Sequence, residues 1–189
     1  MKSVWKRAAG VGAVIAATTL AAAPDAHAAT SASATITAGS LAFASSPASI
    51  AFSATLTGAD QTSTAAQAFD VSDATGSGAG WNVTATSTTF TTGGGSPKTL
   101  STSATTVQTA PTVACDASVT CTTATNAITY PFVLPAGTTA PTAQKLYNAA
   151  ANTGMGNQTV TASFRLAIPG NTFAGTYSST WTYSLVSAP

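Results

Sequence analysis

The side chains able to do acid–base, nucleophilic or metal chemistry are few. The chain of 189 residues carries five acidic and six basic side chains, one histidine and two cysteines. Glutamate is absent, and the acids are Asp25, Asp60, Asp70, Asp73 and Asp116. Asp70 and Asp73 form the one close carboxylate pair. Phe69 and Val71 alternate around them, and in such a strand an odd spacing puts the two acids on opposite faces. That arrangement suits neither a glycosidase pair nor a dyad sharing a proton. A loose Ca²⁺ site using Asp70 or Asp73 with loop carbonyls is the minor alternative. No metal, cofactor or catalytic site is expected.

Two further observations weigh against an enzyme. The only histidine, His27, lies in an N-terminal segment with the marks of a cleaved secretory signal, residues 1–28. Lys2, Lys6 and Arg7 make its positive start, Ala8 to Ala23 its apolar run, and Ala26-His27-Ala28 its cleavage site. The expected mature chain, 29–189, therefore has little that titrates near neutral pH. A membrane helix is the competing reading of the segment, but the apolar run is short and ends at Pro24-Asp25. The cysteines, Cys115 and Cys121, would be in an oxidising compartment and are expected to bridge. A bridge of that span stabilises by roughly 2–2.5 kcal/mol in the loop-entropy picture. A zinc site there lacks the other ligands that zinc favours.

The surface must be neutral. Charged residues make up 6 % of the chain, against about 25 % in ordinary soluble domains. Asp60, Asp70, Asp73 and Asp116 stand against Lys98, Lys145 and Arg165 in the mature part. This excludes nucleic-acid binding by a basic stripe, and leaves no electrostatic handle on anionic lipid. No transmembrane segment is expected in the mature chain.

The elements that position these residues read as short strands with turns of Gly, Pro and Ser. Two-residue alternation marks Thr35-Ile36-Thr37, then Leu41 and Phe43, and Ile50 to Leu56. It continues through Phe69 to Asp73, Trp81 to Ala85, Ile128 to Leu134, Val160 to Ile168 and Tyr177 to Leu185. Gly76-Ser-Gly78-Ala-Gly80 reads as the connection of a hairpin-like unit. Those glycines do not form a phosphate loop, because no lysine follows and the next segment is a strand. Pro131 pushes its segment towards a sheet edge. Ala140 to Met155 is the one expected helix. Together these predict an all-β, antiparallel, Ig-like β-sandwich in a single domain.

Aromatic residues then become the candidates for binding. Trp81-Asn82-Val83 follows the glycine turn, and Trp181, Tyr183 and Leu185 share one face of the closing strand, which ends in Ala188-Pro189. This arrangement resembles the WxL domain, a cell-surface module of Gram-positive bacteria named for two Trp-x-Leu motifs. The resemblance spans about Ile36 to Pro189. It departs from the pattern in Val83, where leucine is expected, and in Tyr183-Ser184-Leu185, which takes the second Trp-x-Leu position. It implies a secreted protein held non-covalently on the cell wall, with peptidoglycan or another wall polymer as partner. The alanine- and threonine-heavy composition suggests an actinobacterial source.

Two readings stand for Trp81, Asn82, Val83, Trp181, Tyr183 and Leu185. As a binding face, their rings would stack on sugars while Asn, Thr and backbone groups bond to hydroxyls and amides. As core, they would only hold the sandwich together. The alternative function is a non-catalytic assembly subunit of a surface complex or fibre, held by another surface protein through an added strand. Leu134-Pro-Ala-Gly-Thr138 is not a sortase signal, since its last two residues are reversed and no apolar tail follows.

Overall fold

The computed structural model describes residues 29–187; the segment expected to be a signal, 1–28, lies outside them. Residues 29–35 are exposed and without regular structure, and the sandwich is built from Ile36 onward. Ten strands make it: β1 (Leu41–Phe43), β2 (Gln61–Asp73), β3 (Trp81–Thr88), β4 (Thr105–Val107), β5 (Thr112–Cys115), β6 (Phe132–Val133), β7 (Ala136–Gly137), β8 (Gln144–Ala149), β9 (Gly156–Ile168) and β10 (Trp181–Ser187). The described residues contain no α-helix.

Two sheets pack face to face. The first has the order β1-β2-β9-β4-β6, with β5 beside the start of β9. The second has the order β10-β3-β7, with β8 on the same side of β3 as β7. Every pairing is antiparallel except the short one between β3 and β7. The alternation read from the sequence puts Phe69 and Val71 of β2, Val160, Ala162 and Phe164 of β9, and Trp81, Val83 and Ala85 of β3 in the core between the sheets. Completely removing a side chain of this size from water stabilises by about 1.5–3 kcal/mol.

Several expectations change. The segment expected as a helix, Ala140 to Met155, contains β8 instead. Leu146, Tyr147 and Ala149 are buried there against β3, and packing outweighs the helix preference of alanine. The glycine-rich stretch does not join a hairpin: β2 and β3 belong to different sheets. It is a corner carrying the chain across the sandwich, and at Gly80 (φ +78°) a Cβ would run into the Ala149 carbonyl.

Thr35–Thr37 and Ile50–Leu56 are not strands. The second is an extended strap whose Ile50 and Phe52 reach the core while its backbone joins no ladder. Of the Ile128–Leu134 segment only Phe132–Val133 is strand, after a cis Tyr130–Pro131 bond.

Candidate functional site

β3 and β10 lie side by side, so the two motif segments are neighbours. The register sets Trp81 opposite Ser187, Val83 opposite Leu185, Ala85 opposite Tyr183 and Ser87 opposite Trp181. Trp81 and Trp181 therefore sit at opposite ends of the pair, about 20 Å apart at strand rise.

The first motif is interior. Trp81 and Val83 have no exposed surface, and Asn82 is 5 % exposed. The Trp81 indole N–H donates to the Gly154 carbonyl at 2.9 Å, and its ring lies 5.7 Å from that of Tyr147. The Tyr147 hydroxyl donates in turn to the Ala124 carbonyl at 2.9 Å. A ring enclosed in this way has no face left for a sugar. β3 is central in its sheet, with β10 on one side and β7 and β8 on the other; its inner face meets the opposite sheet, and on its outer face Asn82 and Thr86 are buried as well, Thr86 donating to the Pro141 carbonyl at 2.8 Å.

The second motif lies at a sheet edge and is only half buried. Trp181 packs edge-on against Phe164 at 4.9 Å, and its ring lies 6.2 Å from Phe52 and 6.3 Å from Phe90. Tyr183 meets Phe69 edge-on at 4.8 Å. Burial holds the Tyr183 hydroxyl protonated well above the ordinary tyrosine range, and its oxygen is enclosed without a hydrogen-bond partner. Leu185 is half buried beside the core.

A groove runs along this edge. One hollow of about 740 Å³ is lined by Phe43, Ile50, Phe90, Tyr177, Trp181 and Tyr183 among others. A second, of about 570 Å³, shares Ile50, Phe90 and Tyr177 with the first and adds Phe52, Leu56 and Phe173. No charged residue lines either one. The strap forms one wall and the 172–179 loop the other. That loop is tied by the Tyr177 hydroxyl, which donates to the Phe173 carbonyl at 2.9 Å. Phe173 is itself 62 % exposed, with the Lys98 ammonium 4.4 Å from its ring centre.

The backbone of β10 adds polar groups to the groove. The Thr88 N–H donates to the Thr180 carbonyl at 2.8 Å, so even-numbered residues of β10 face β3. Trp181, Tyr183 and Leu185 consequently aim their N–H and C=O groups away from the sheet. Phe52, Phe90 and Phe173 were not among the sequence candidates. Their signal was weak but present: Phe90 and Phe173 are lone aromatics in otherwise small, polar loops.

The remaining chemistry is structural. Cys115 and Cys121 are bonded to each other. Asp70 and Asp73 occupy opposite faces of β2, Asp73 buried and accepting from the Thr75 N–H and hydroxyl at 3.0 and 2.7 Å. Among the described residues no three His, Cys, Asp or Glu side chains are placed to hold a metal, and no helix is long and apolar enough to cross a membrane.

No curated protein and no solved structure matches the chain. A family model, described as the WxL domain, surface cell wall-binding, matches residues 22–189. That is a binding family rather than an enzyme family. With the match covering nearly all of the sequence, this chain belongs to the WxL family of cell-surface, cell-wall-binding domains.

Proposed function

We propose that this chain is secreted by way of residues 1–28 and that the mature part, from Ala29, holds non-covalently to peptidoglycan through the groove beside β10. The observation that carries the reading is the groove's lining: half-buried and exposed aromatic rings, no charge, and the unpaired backbone edge of β10. Neutral sugar rings stack on such faces, while amides of a wall peptide suit the outward N–H and C=O groups of Trp181 and Tyr183. Trp181, Tyr183 and Leu185 serve this reading directly. Trp81, Asn82 and Val83 serve it by holding β3, and therefore β10, in place.

The test is co-sedimentation of the purified protein with protein-free cell-wall sacculi, beside Phe90→Ala and Tyr177→Ala variants whose circular dichroism matches wild type. Wild type is expected to pellet and the variants to stay in solution. A wild type that stays in solution sinks direct wall binding. The second reading, a subunit held on the surface by another protein, is favoured by the open strand edges and would then take its place.

A further inference from the structure

β2 is held along one side only for most of its length. Its ladder with β9 runs from Gln61–Ile168 to Asp73–Gly156 without a shift of register, so outward and inward backbone groups alternate strictly. The Ala44 N–H donates to the Asp70 carbonyl at 2.8 Å; even-numbered residues therefore aim away from β9. β1 covers that side only at Val71 to Asp73. Beyond it the Ala68 carbonyl takes the Gln67 side-chain amide at 2.9 Å. The outward groups of Thr62, Thr64 and Ala66 meet no partner among the described residues, and all three residues are exposed.

The strap does not close this edge. It touches β2 through side chains of the inner face: the Ser53 N–H donates to Ser63 Oγ at 3.1 Å, and Gln61 Nε2 to the Thr55 carbonyl at 2.7 Å. Soluble proteins guard open edges with lysine, proline, a bulge or a covering element. Gln61-Thr-Ser-Thr-Ala-Ala-Gln-Ala-Phe69 has no charge, no proline and no bulge.

We infer that this edge joins two copies of the chain, β2 pairing antiparallel with β2 of the second copy about a two-fold axis at Thr64. An open edge offers donors and acceptors in equal number, so it is complementary to itself, as an isologous interface requires. Charge and an occupied carbonyl exclude the registers shifted towards Asp70. With the axis at Thr64, Thr64 lies opposite the partner's Thr64 and Thr62 opposite the partner's Ala66, and the ladder ends there because the Ala68 carbonyl is taken by Gln67. Moving the axis to Ala65 would set Asp60 opposite the partner's Asp70, a like-charge pair that destabilises the ladder. Moving it to Ala66 would need the Asp70 carbonyl that Ala44 already occupies. The side chains brought together are small and neutral, and Thr–Thr pairs across strands are favourable. The first sheet then runs unbroken through both copies. Thr62, Thr64 and Ala66 line neither hollow of the groove, so the inference stands apart from wall binding.

Sedimentation equilibrium of the full chain tests it, with Thr64→Lys and Thr64→Glu variants of wild-type circular dichroism. Wild type is expected to be a dimer. Each variant alone places like charges on the axis and is expected to weaken the dimer roughly fivefold or more. An equimolar mixture of the two is expected to restore it. A wild type that stays monomeric up to roughly 0.1 mM overturns the inference. So does a single variant that dimerises as wild type does, or a mixture no tighter than its components.

Discussion

The indole of Trp81 and the backbone of Gly154 are fitted to each other. The N–H donates to the Gly154 carbonyl at 2.9 Å, and a Cβ on Gly154 would lie 2.5 Å from the same nitrogen at a φ of +82°. Trp81→Phe, which strands that carbonyl and leaves a gap, is expected to cost about 1–3 kcal/mol. Gly154→Ala, which adds backbone strain to a clash, should cost roughly 2 kcal/mol or more. Urea unfolding of each variant checks both. Equal stability to wild type would show that this contact does not hold the two segments together.

The groove has no charged lining, so wall binding by the purified protein should respond little to salt. Sacculus affinity is expected to change less than about twofold between low salt and about 0.5 M NaCl, although the Debye length falls well below 10 Å over that range. A steep loss would mean that Lys98, Lys145 or Arg165 carries the attachment instead of the rings.

Three tyrosines make the fold sensitive to alkali. Burial raises Tyr130, Tyr147 and Tyr183 above the ordinary phenol value, Tyr147 to about 12. The unfolded chain ionises these phenols from about pH 10, while the native state keeps its protons. Their contribution to stability is thus complete below pH 10 and is lost as pH rises towards the native values. Tyrosinate absorbance in the native protein should lag that in urea. Tyr183→Phe removes an unpartnered hydroxyl, and is expected to leave neutral-pH stability almost unchanged while making the alkaline loss shallower.

The strap is held by rings rather than by a ladder. The Phe52 ring lies 6.0 Å from Phe90 and 6.2 Å from Trp181, contacts worth about 0.5–1.5 kcal/mol each beyond buried area. Phe52→Ala should therefore open residues 45–58 to limited proteolysis while the sandwich keeps its unfolding midpoint within a few degrees. Protection equal to wild type would mean that the Gln61 and Ser63 contacts suffice.

Reduction of the Cys115–Cys121 bridge is expected to lower stability by roughly 2 kcal/mol and leave the fold intact. Gln158 provides a second clamp on the same loop: its side chain accepts from the Ala124 N–H at 2.8 Å and donates to the Thr122 and Met155 carbonyls. Denaturant unfolding with and without reductant reads the difference.

Where apolar residues alternate with polar ones, the sequence was legible. Trp81–Thr88, Gly156–Ile168 and Trp181–Ser187 are strands because one face had to be buried, and the pattern of two shows which. The first half of β2 was not legible. Gln61 to Ala68 holds only small and polar residues, and its pairing with β9 is set by a neighbour far along the chain. Ile50–Leu56 erred the other way: its alternation is real, yet it reflects side chains inserted between the sheets rather than a place in one. The Cys115–Cys121 bridge was readable from the expected oxidising compartment and from the lack of other zinc ligands.

The site was half legible. The pattern marked Trp181 and Tyr183, but a shared face cannot distinguish the middle of a sheet from its edge. That distinction buries Trp81 and leaves Trp181 beside a groove. Phe52, Phe90 and Phe173 converge only once three separate loops have come together.

The long ladder between β2 and β9 also governs how the domain can form. Gln61 must wait for Ile168, and Asp73 for Gly156, so this ladder closes a large loop before it gains its first hydrogen bond. Nothing local substitutes for that step: a chain emerging N-terminus first has β2, β3 and the strap in hand, but no central sheet until its last quarter arrives. Folding should be slow and late, in the manner of proteins rich in distant contacts, and a truncation before β9 should yield no partial domain.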